Sequence, residues 1–136
     1  MITIKHLFGK IVPHAGAVKK IEESLNVRLP GDYKKFIKWH GAIDEENLSI
    51  YGSWKGDQGK DIPSVIGYTK ILRDSIELPE SYIAIHSVGS DEILLDTDNG
   101  YIYQWHDDME KILPIMELES FSDFLKSKHI KQGIKS

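Results

Sequence analysis

The stretch from Leu29 to Gly41 constrains the fold more than any other, because it contains both a start and an end of a helix. Pro30 suits the first turn of a helix, since it has a fixed φ and no N–H, and Gly41 can adopt the positive φ that commonly ends one. Between them, apolar and aromatic side chains recur at helical spacing, at Tyr33, Phe36, Ile37 and His40. The pattern predicts a short amphipathic helix that starts near Pro30. Its solvated face carries Lys34, Lys35 and Lys38.

Similar signals predict three further helices along the chain. The first covers Ala15 to Leu25, and Asn26 after it can take the left-handed conformation found at helix ends. The second covers Pro63 to Ser75, again with a proline near its start. Ser120 is a favourable N-cap for the last helix, and Asp123 three residues later resembles the acidic member of a capping box.

Alternation between apolar and polar residues predicts a sheet in the second half of the chain and one earlier strand. The predicted strands cover residues 48–51, 82–86, 93–95, 101–105 and 112–118. Asn99-Gly100 is expected at the centre of a two-residue connection, because both residue types tolerate positive φ, and it predicts a hairpin between the third and fourth of these strands. Pro114 predicts an edge position for the last strand, since proline cannot donate a ladder hydrogen bond.

Two segments are predicted as loops, residues 44–47 and residues 53–61. The second is rich in glycine and polar residues and is expected to be a mobile surface loop. It contains Trp54. This tryptophan either folds back over the edge of the core, which is the favoured interpretation, or stands exposed as an anchor for a partner.

Together these elements predict a single α+β domain over residues 1–136, with a frayed tail at 130–136. Helices from both ends of the chain are expected to pack on a mostly antiparallel sheet of about four to six strands. The absence of Cys excludes disulfides, thiolate catalysis and cysteine-ligated metals. No apolar run approaches the ~20 residues of a membrane span and no secretory signal is visible, so a cytoplasmic protein without membrane contacts is expected.

The charged residues are distributed unevenly, although the formal net charge is only −4. From Asp74 to Glu110 the chain contains ten carboxylates and no Lys or Arg. All 17 Lys and Arg residues, and the remaining 11 of the 21 acidic residues, lie outside this window. The window therefore carries a formal charge of −10 and the rest of the chain +6. A surface built from the window is expected to attract a basic partner.

The sequence favours neither metal binding nor catalysis. Residues 96–100 place carboxylates at spacing two, as a calcium loop does, but the glycine and the closing glutamate of an EF-hand are not at the required positions. Among the six histidines, a zinc or general-base site would need the fold to bring His86 and His106 together. We therefore predict no catalytic residue, no cofactor and no metal.

Tyr101, Tyr103 and Trp105 alternate along one predicted strand and so share a face of it. Such a face can stack nucleic-acid bases, but the Lys and Arg residues that line nucleic-acid grooves are missing from this window. We expect no direct contact with nucleic acid. Ordinary cross-strand packing is the favoured interpretation, and a partner surface of aromatic anchors with a negative rim is the alternative.

The order and spacing of several motifs resemble those of the SUKH superfamily. The motifs are Ile21-Glu22, Leu29-Pro30, Asp32-Tyr33, Gly41, Leu78-Pro79, Tyr82-Ile83-Ala84-Ile85, Gly89-Ser90-Asp91, Leu95-Asp96, Gly100-Tyr101-Ile102-Tyr103 and Ser120-Phe121-Ser122-Asp123-Phe124-Leu125. They cover most of the chain, and the resemblance implies the same α+β architecture.

The resemblance also implies a function, that of a non-enzymatic immunity protein that binds and neutralises a cognate toxin, often a nuclease. The acidic window suits this role, because a carboxylate-rich surface can mimic the phosphates that a nuclease binds and so occlude its basic site. The charge pattern, and not the family, supplies the predicted contact residues. They are Asp91, Glu92, Asp96, Asp98, Asp107, Asp108 and Glu110, with Trp54 and Trp105 as anchors.

Two other functions are compatible with the sequence. The resemblance also extends to yeast cell-wall regulators of the same superfamily, which implies a scaffold with several endogenous partners. In such a scaffold the lysine face of the central helix would matter as much as the acidic window. A hydrolase built around His86 and His106 would need a metal. The sequence does not indicate which toxin is bound, whether it is inhibited by blocking or by distortion, or whether the protein forms oligomers.

Overall fold

A computed structural model describes residues 11–46, 48–60, 62–115 and 119–128 of the chain. In these ranges the helices are α1 (Ala17–Leu25), α2 (Gly31–His40), α3 (Val65–Ser75) and α4 (Phe121–Ser127). The strands are β1 (Ile43–Glu45), β2 (Leu48–Ile50), β3 (Tyr82–Val88), β4 (Asp91–Asp96), β5 (Ile102–His106) and β6 (Lys111–Pro114). The predicted α+β class is confirmed, whereas the predicted frayed tail lies outside the described residues.

The main sheet is an antiparallel meander in the order β3-β4-β5-β6. Its four strands lie within the predicted number. The predicted hairpin between β4 and β5 is confirmed, with Leu95 opposite Ile102 and Leu94 opposite Tyr103. A separate two-stranded sheet joins β1 and β2, where Ile43 lies opposite Ile50.

The connection between β4 and β5 is longer than the predicted two-residue turn. The Asp96 carbonyl accepts a 2.7 Å hydrogen bond from the Gly100 N–H, and the Asp96 N–H donates to the Tyr101 carbonyl at 3.0 Å. Residues 97–100 therefore form the loop. Gly100 has a φ of +79°, but Asn99 keeps a negative φ, so the prediction of positive φ at both positions was wrong. The Asp96 side chain, which accepts from the Asp98 N–H at 2.9 Å, stabilises this longer turn instead.

The start of the predicted loop at 44–47 is also wrong, because Ile43–Glu45 forms β1. Aspartate and glutamate are depleted in strands, and three residues are too few for an alternating pattern to show. The strand forms because β2 supplies an antiparallel partner. The Ser49 hydroxyl donates a 3.2 Å hydrogen bond to the Asp44 carboxylate across this pair.

Helix α2 begins and ends as its sequence predicts. Pro30 is the N-cap with extended backbone, and Gly41 follows the helix with a φ of +74°. The fully buried residues of the helix are Tyr33, Phe36 and Ile37. The Tyr33 hydroxyl donates a 2.6 Å hydrogen bond to the Tyr51 carbonyl, which ties the helix to the segment after β2.

Helices lie on both sides of the main sheet. On one side, the Phe124 ring of α4 lies 5.6 Å from the His86 ring of β3, and Phe121 contacts Phe36 of α2 at 5.3 Å. On the other side, the Tyr68 hydroxyl of α3 reaches the Glu92 carboxylate of β4. The buried side chains of the helices and of the sheet form one hydrophobic core, whereas part of the side that α3 reaches stays exposed.

The segment at 53–61, predicted as a mobile surface loop, has a buried centre. Ser53 is fully buried and Asp57 is only 4% exposed. The Asp57 carboxylate accepts hydrogen bonds from the hydroxyls of Ser53 and Ser64 at 2.7 and 3.0 Å, and from the Gly59 N–H at 2.9 Å. Because Ser64 is also the N-cap of α3, one buried carboxylate holds the loop to the helix start.

Strand β6 occupies the edge position that Pro114 predicts. Pro114 lies opposite Tyr103. The Ile115 N–H donates to the Ile102 carbonyl at 3.5 Å, so in the alternating ladder the neighbouring position, that of the proline, faces away from β5. The missing N–H therefore breaks no hydrogen bond within the sheet. Residues 116–118 of the predicted strand lie outside the described residues.

Candidate protein-binding surface

Asp91 holds the turn between β5 and β6 against the start of β4. One carboxylate oxygen accepts a hydrogen bond from the Asp107 N–H at 2.9 Å, and the other accepts one from the Gln104 side chain at 2.9 Å. The His106 ring lies 3.8 Å away. These groups lower the pKa of Asp91, the Asp107 N–H most strongly. Asp91 shapes the turn, and its side chain is only 28% exposed.

Glu92, the next residue, points to the opposite face of the sheet and is buried. Its carboxylate accepts hydrogen bonds from the hydroxyls of Tyr68 and Ser87, both at 2.6 Å, and Ser87 in turn accepts from Tyr51 at 2.8 Å. Within the described ranges no cation forms an ion pair with it. Burial raises the pKa of Glu92, and the two hydroxyl donors only partly oppose that rise.

The two adjacent carboxylates are expected to change stability with opposite pH dependence. The lowered pKa of Asp91 stabilises the folded state at neutral pH, and this contribution is lost as the pH falls through the folded-state pKa. The raised pKa of Glu92 favours folding below the ordinary glutamate pKa, and that contribution is lost as the pH rises through the raised value.

As the pH rises from about 3 to about 7, the free energy of unfolding of wild type should therefore increase relative to that of Asp91→Asn and decrease relative to that of Glu92→Gln. Urea unfolding of the three proteins across this range measures both differences. A free energy of unfolding that changes in parallel for wild type and Glu92→Gln would contradict the role given to Glu92.

Asp96 and Asp98 lie at the other end of β4, about 17 Å of strand away from Asp91. Asp96 is 9% exposed and caps its turn. Asp98 is exposed and lines a cleft of about 800 Å³ between α1 and this turn, together with Lys19 and Arg28. Charges of both signs meet in this cleft, so Asp98 does not extend a uniformly acidic surface.

The remaining predicted carboxylates lie together in the turn from β5 to β6, here called the acidic turn (Asp107, Asp108, Met109 and Glu110). All of its side chains are exposed, and its carboxylates form no hydrogen bond or ion pair within the part of the chain that the structure describes. Met109 is 48% exposed, and Val88, the last residue of β3 at the same end of the sheet, is 53% exposed. Unpaired charge around exposed apolar side chains is a favourable composition for binding a protein.

An aromatic face lies beside the acidic turn, on the side of the sheet that α3 reaches. It consists of Tyr82, Tyr103, Trp105 and Ile112, all partly exposed. Pairing places Trp105 opposite both Glu92 and Ile112, so these side chains point to one side. The Tyr82 and Tyr103 rings meet nearly perpendicular at 5.4 Å. Cross-strand packing accounts for Tyr103, while Trp105 retains surface that a partner can contact.

The two predicted tryptophan anchors lie in different parts of the fold. Trp54 follows β2 and neighbours Gly41 at the end of α2, whereas Trp105 lies in β5. Trp54 is half-buried, so it is neither fully folded over the edge of the core nor fully exposed as an anchor. Only Trp105 adjoins the acidic turn.

The two histidines considered for a metal have separate partners. His86 Nδ1 lies 2.7 Å from the Ser49 carbonyl, and His106 faces Asp91. Across the described residues, no group of three or more His, Cys, Asp or Glu side chains is arranged to hold a metal ion.

Several exposed apolar side chains were not predicted from the sequence, among them those of Trp39, Val88 and Met109. Met109 had a visible signal, since it lies within a run of acidic residues that no core position would contain. Trp39 also had one, because it lies one helical turn after Lys35 and outside the stripe formed by Tyr33, Ile37 and His40.

The fold and its surface define an α+β domain with an exposed acidic turn beside an aromatic sheet face. The chain belongs to the SUKH_5 family, described as SMI1-KNR4 cell-wall, which matches residues 9–130. This match confirms the resemblance seen in the motifs. A comparison with curated proteins gives no significant match. Of the helices described, none combines the length and the apolar character that a bilayer-crossing segment requires.

Proposed function

We propose that this protein is an immunity protein of the cytoplasm, which binds a cognate toxin and neutralises it without catalysing a reaction. Membership of the SUKH_5 family supports the class of function. The observation that carries the proposal is the acidic turn, where three exposed carboxylates have no partner within the described residues and lie next to a partly exposed tryptophan.

The charge of this surface indicates the chemistry of the partner. Asp107, Asp108 and Glu110 close a window without Lys or Arg, and Lys111 directly after them is a single cation, so the turn keeps a net negative charge. Such a field accelerates encounter with a basic surface and disfavours wrong orientations. Nuclease domains bind phosphate with basic surfaces, so a nuclease toxin is the proposed partner, and occlusion of its active site is the proposed mode of inhibition.

The contact is proposed to combine this charge with an apolar centre. Met109 and Val88 supply exposed apolar area at the sheet end, and Trp105 supplies an aromatic anchor on the adjoining face. Interfaces gain most of their affinity from a few such buried anchors, whereas charges at the rim mainly set the association rate. Asp91 contributes indirectly, because it holds the turn that presents the three free carboxylates.

The direct test is capture and inhibition of the toxin domain encoded beside this protein. The tagged protein should capture that domain at a one-to-one ratio, and the complex should lose toxin activity in proportion to the protein added. Binding should weaken as salt is raised, since the contact is electrostatic. Failure to bind that domain, with capture of several unrelated cell proteins instead, would favour the alternative of a regulatory scaffold.

A further inference from the structure

Helix α2 carries a second exposed surface, here called the basic helix face, made of Lys35, Lys38 and Trp39. Trp39 is 58% exposed, more than any other large apolar side chain for which the structure gives an exposure. Lys35 lies one helical turn before it and Lys38 lies next to it, and both lysines are exposed. A tryptophan is rarely left so exposed without a use, because its ring loses much apolar area to water.

The fold itself does not account for these three side chains. Other polar residues of α2 have internal partners: Lys34 lies 3.9 Å from Glu22 of α1, and Asp32 accepts hydrogen bonds from the Ser122 N–H and hydroxyl of α4 at 2.9 and 3.1 Å. Neither Lys35 nor Lys38 forms an ion pair in the described ranges. The helix is therefore anchored through its other faces, and the basic helix face is exposed to solvent.

The basic helix face and the acidic turn have complementary composition. Each has an exposed apolar centre beside exposed charges, Trp39 with Lys35 and Lys38 in one, and Met109 with three carboxylates in the other. Lys111, which follows the acidic turn, leaves that turn net negative. No hydrogen bond or ion pair within the described chain joins the two surfaces. A contact between them can therefore form between two molecules without breaking any described interaction inside either one.

We propose that the basic helix face binds the acidic turn of a second copy of this chain. The contact joins two different surfaces, so it is heterologous. It is small, and for that reason the self-association is weak, with a dissociation constant on the order of 10⁻⁴ M at low salt. If the acidic turn also binds the toxin, as the proposed function states, toxin and second copy compete for it.

Sedimentation velocity of the purified chain alone tests this proposal, so its outcome does not depend on the toxin. The average mass should rise above that of the monomer between about 10 and 500 μM protein in low salt, and return to it at about 0.5 M salt, where the Debye length is short. Lys35→Glu/Lys38→Glu and Asp107→Lys/Asp108→Lys should each remain monomeric. An equimolar mixture of these two variants should associate again. The first variant keeps its acidic turn, and the second keeps the basic helix face that binds it.

Lys60→Glu/Lys70→Glu is the matched control, since it reverses the same number of exposed lysines elsewhere and should associate like wild type. Trp39→Ala should weaken association about 10-fold, as expected for an aromatic anchor. A wild-type protein that stays monomeric over the whole concentration range in low salt would overturn the proposal. Association that survives both charge-reversal pairs would overturn it as well, because it would place the contact on another surface.

Discussion

Neutralising the acidic turn should weaken binding of the toxin about 10- to 100-fold in low salt, mostly through a slower association rate. The variant is Asp107→Asn/Asp108→Asn/Glu110→Gln, which keeps the size of each side chain and removes three exposed charges. The effect should shrink in high salt, because screening already removes the same attraction from wild type. Stopped-flow association and equilibrium titration at two salt concentrations measure both parts of the expectation.

The matched control removes three exposed carboxylates from other parts of the surface, as Glu23→Gln/Glu45→Gln/Glu46→Gln. Both variants have the same net charge, so a general effect of charge would weaken them equally. Only the first should lose affinity strongly. Equal binding by the two variants would move the contact away from the acidic turn while leaving the immunity function standing.

Phe121→Ala should lower the free energy of unfolding by about 4 kcal/mol, a large part of the stability of a domain of this size. Phe121 is fully buried in α4, and its ring lies 4.8 Å from Tyr33 and 5.3 Å from Phe36 of α2. Truncation loses the free energy gained by transferring the ring from water to the core, and it leaves a cavity between α2 and α4. Chemical denaturation followed by circular dichroism measures the loss.

Leu113→Ala on β6 is the comparison for this variant, because Leu113 is 38% exposed and its truncation should cost less than about 1 kcal/mol. Similar losses for the two variants would show that the packing of Phe121 on Tyr33 and Phe36 is not central to the stability of the core. Toxin binding by Phe121→Ala, measured where the variant is still folded, should match wild type, because Phe121 is fully buried and is not part of the acidic turn.

Local sequence signals predicted the elements of this fold well where one residue type has a strong backbone preference. Pro30 and Gly41 bound α2, Asn26 adopts its left-handed conformation after α1 with a φ of +58°, and Ser120 caps α4 through a capping box with Asp123. Each of these preferences acts within a few residues, so it depends little on the rest of the fold, although Asn99 shows that such a preference can be overridden. Elements that depend on a distant partner, such as β1, left no such signal.

The sequence by itself determined the four helices, the central hairpin, the family and the negative charge of the window, although α1 and α3 each begin two residues later than predicted. Tertiary structure alone decided which carboxylates are free. Asp91 and Asp107 are both acidic residues of one window, yet the backbone of the second donates to the side chain of the first across 16 positions of the chain. Charge is a property of each residue, but exposure and hydrogen bonding depend on which strands pair. Once β4 and β5 are aligned, the Asp91 carboxylate holds the turn, whereas the Asp107 carboxylate stays exposed and has no partner among the described residues.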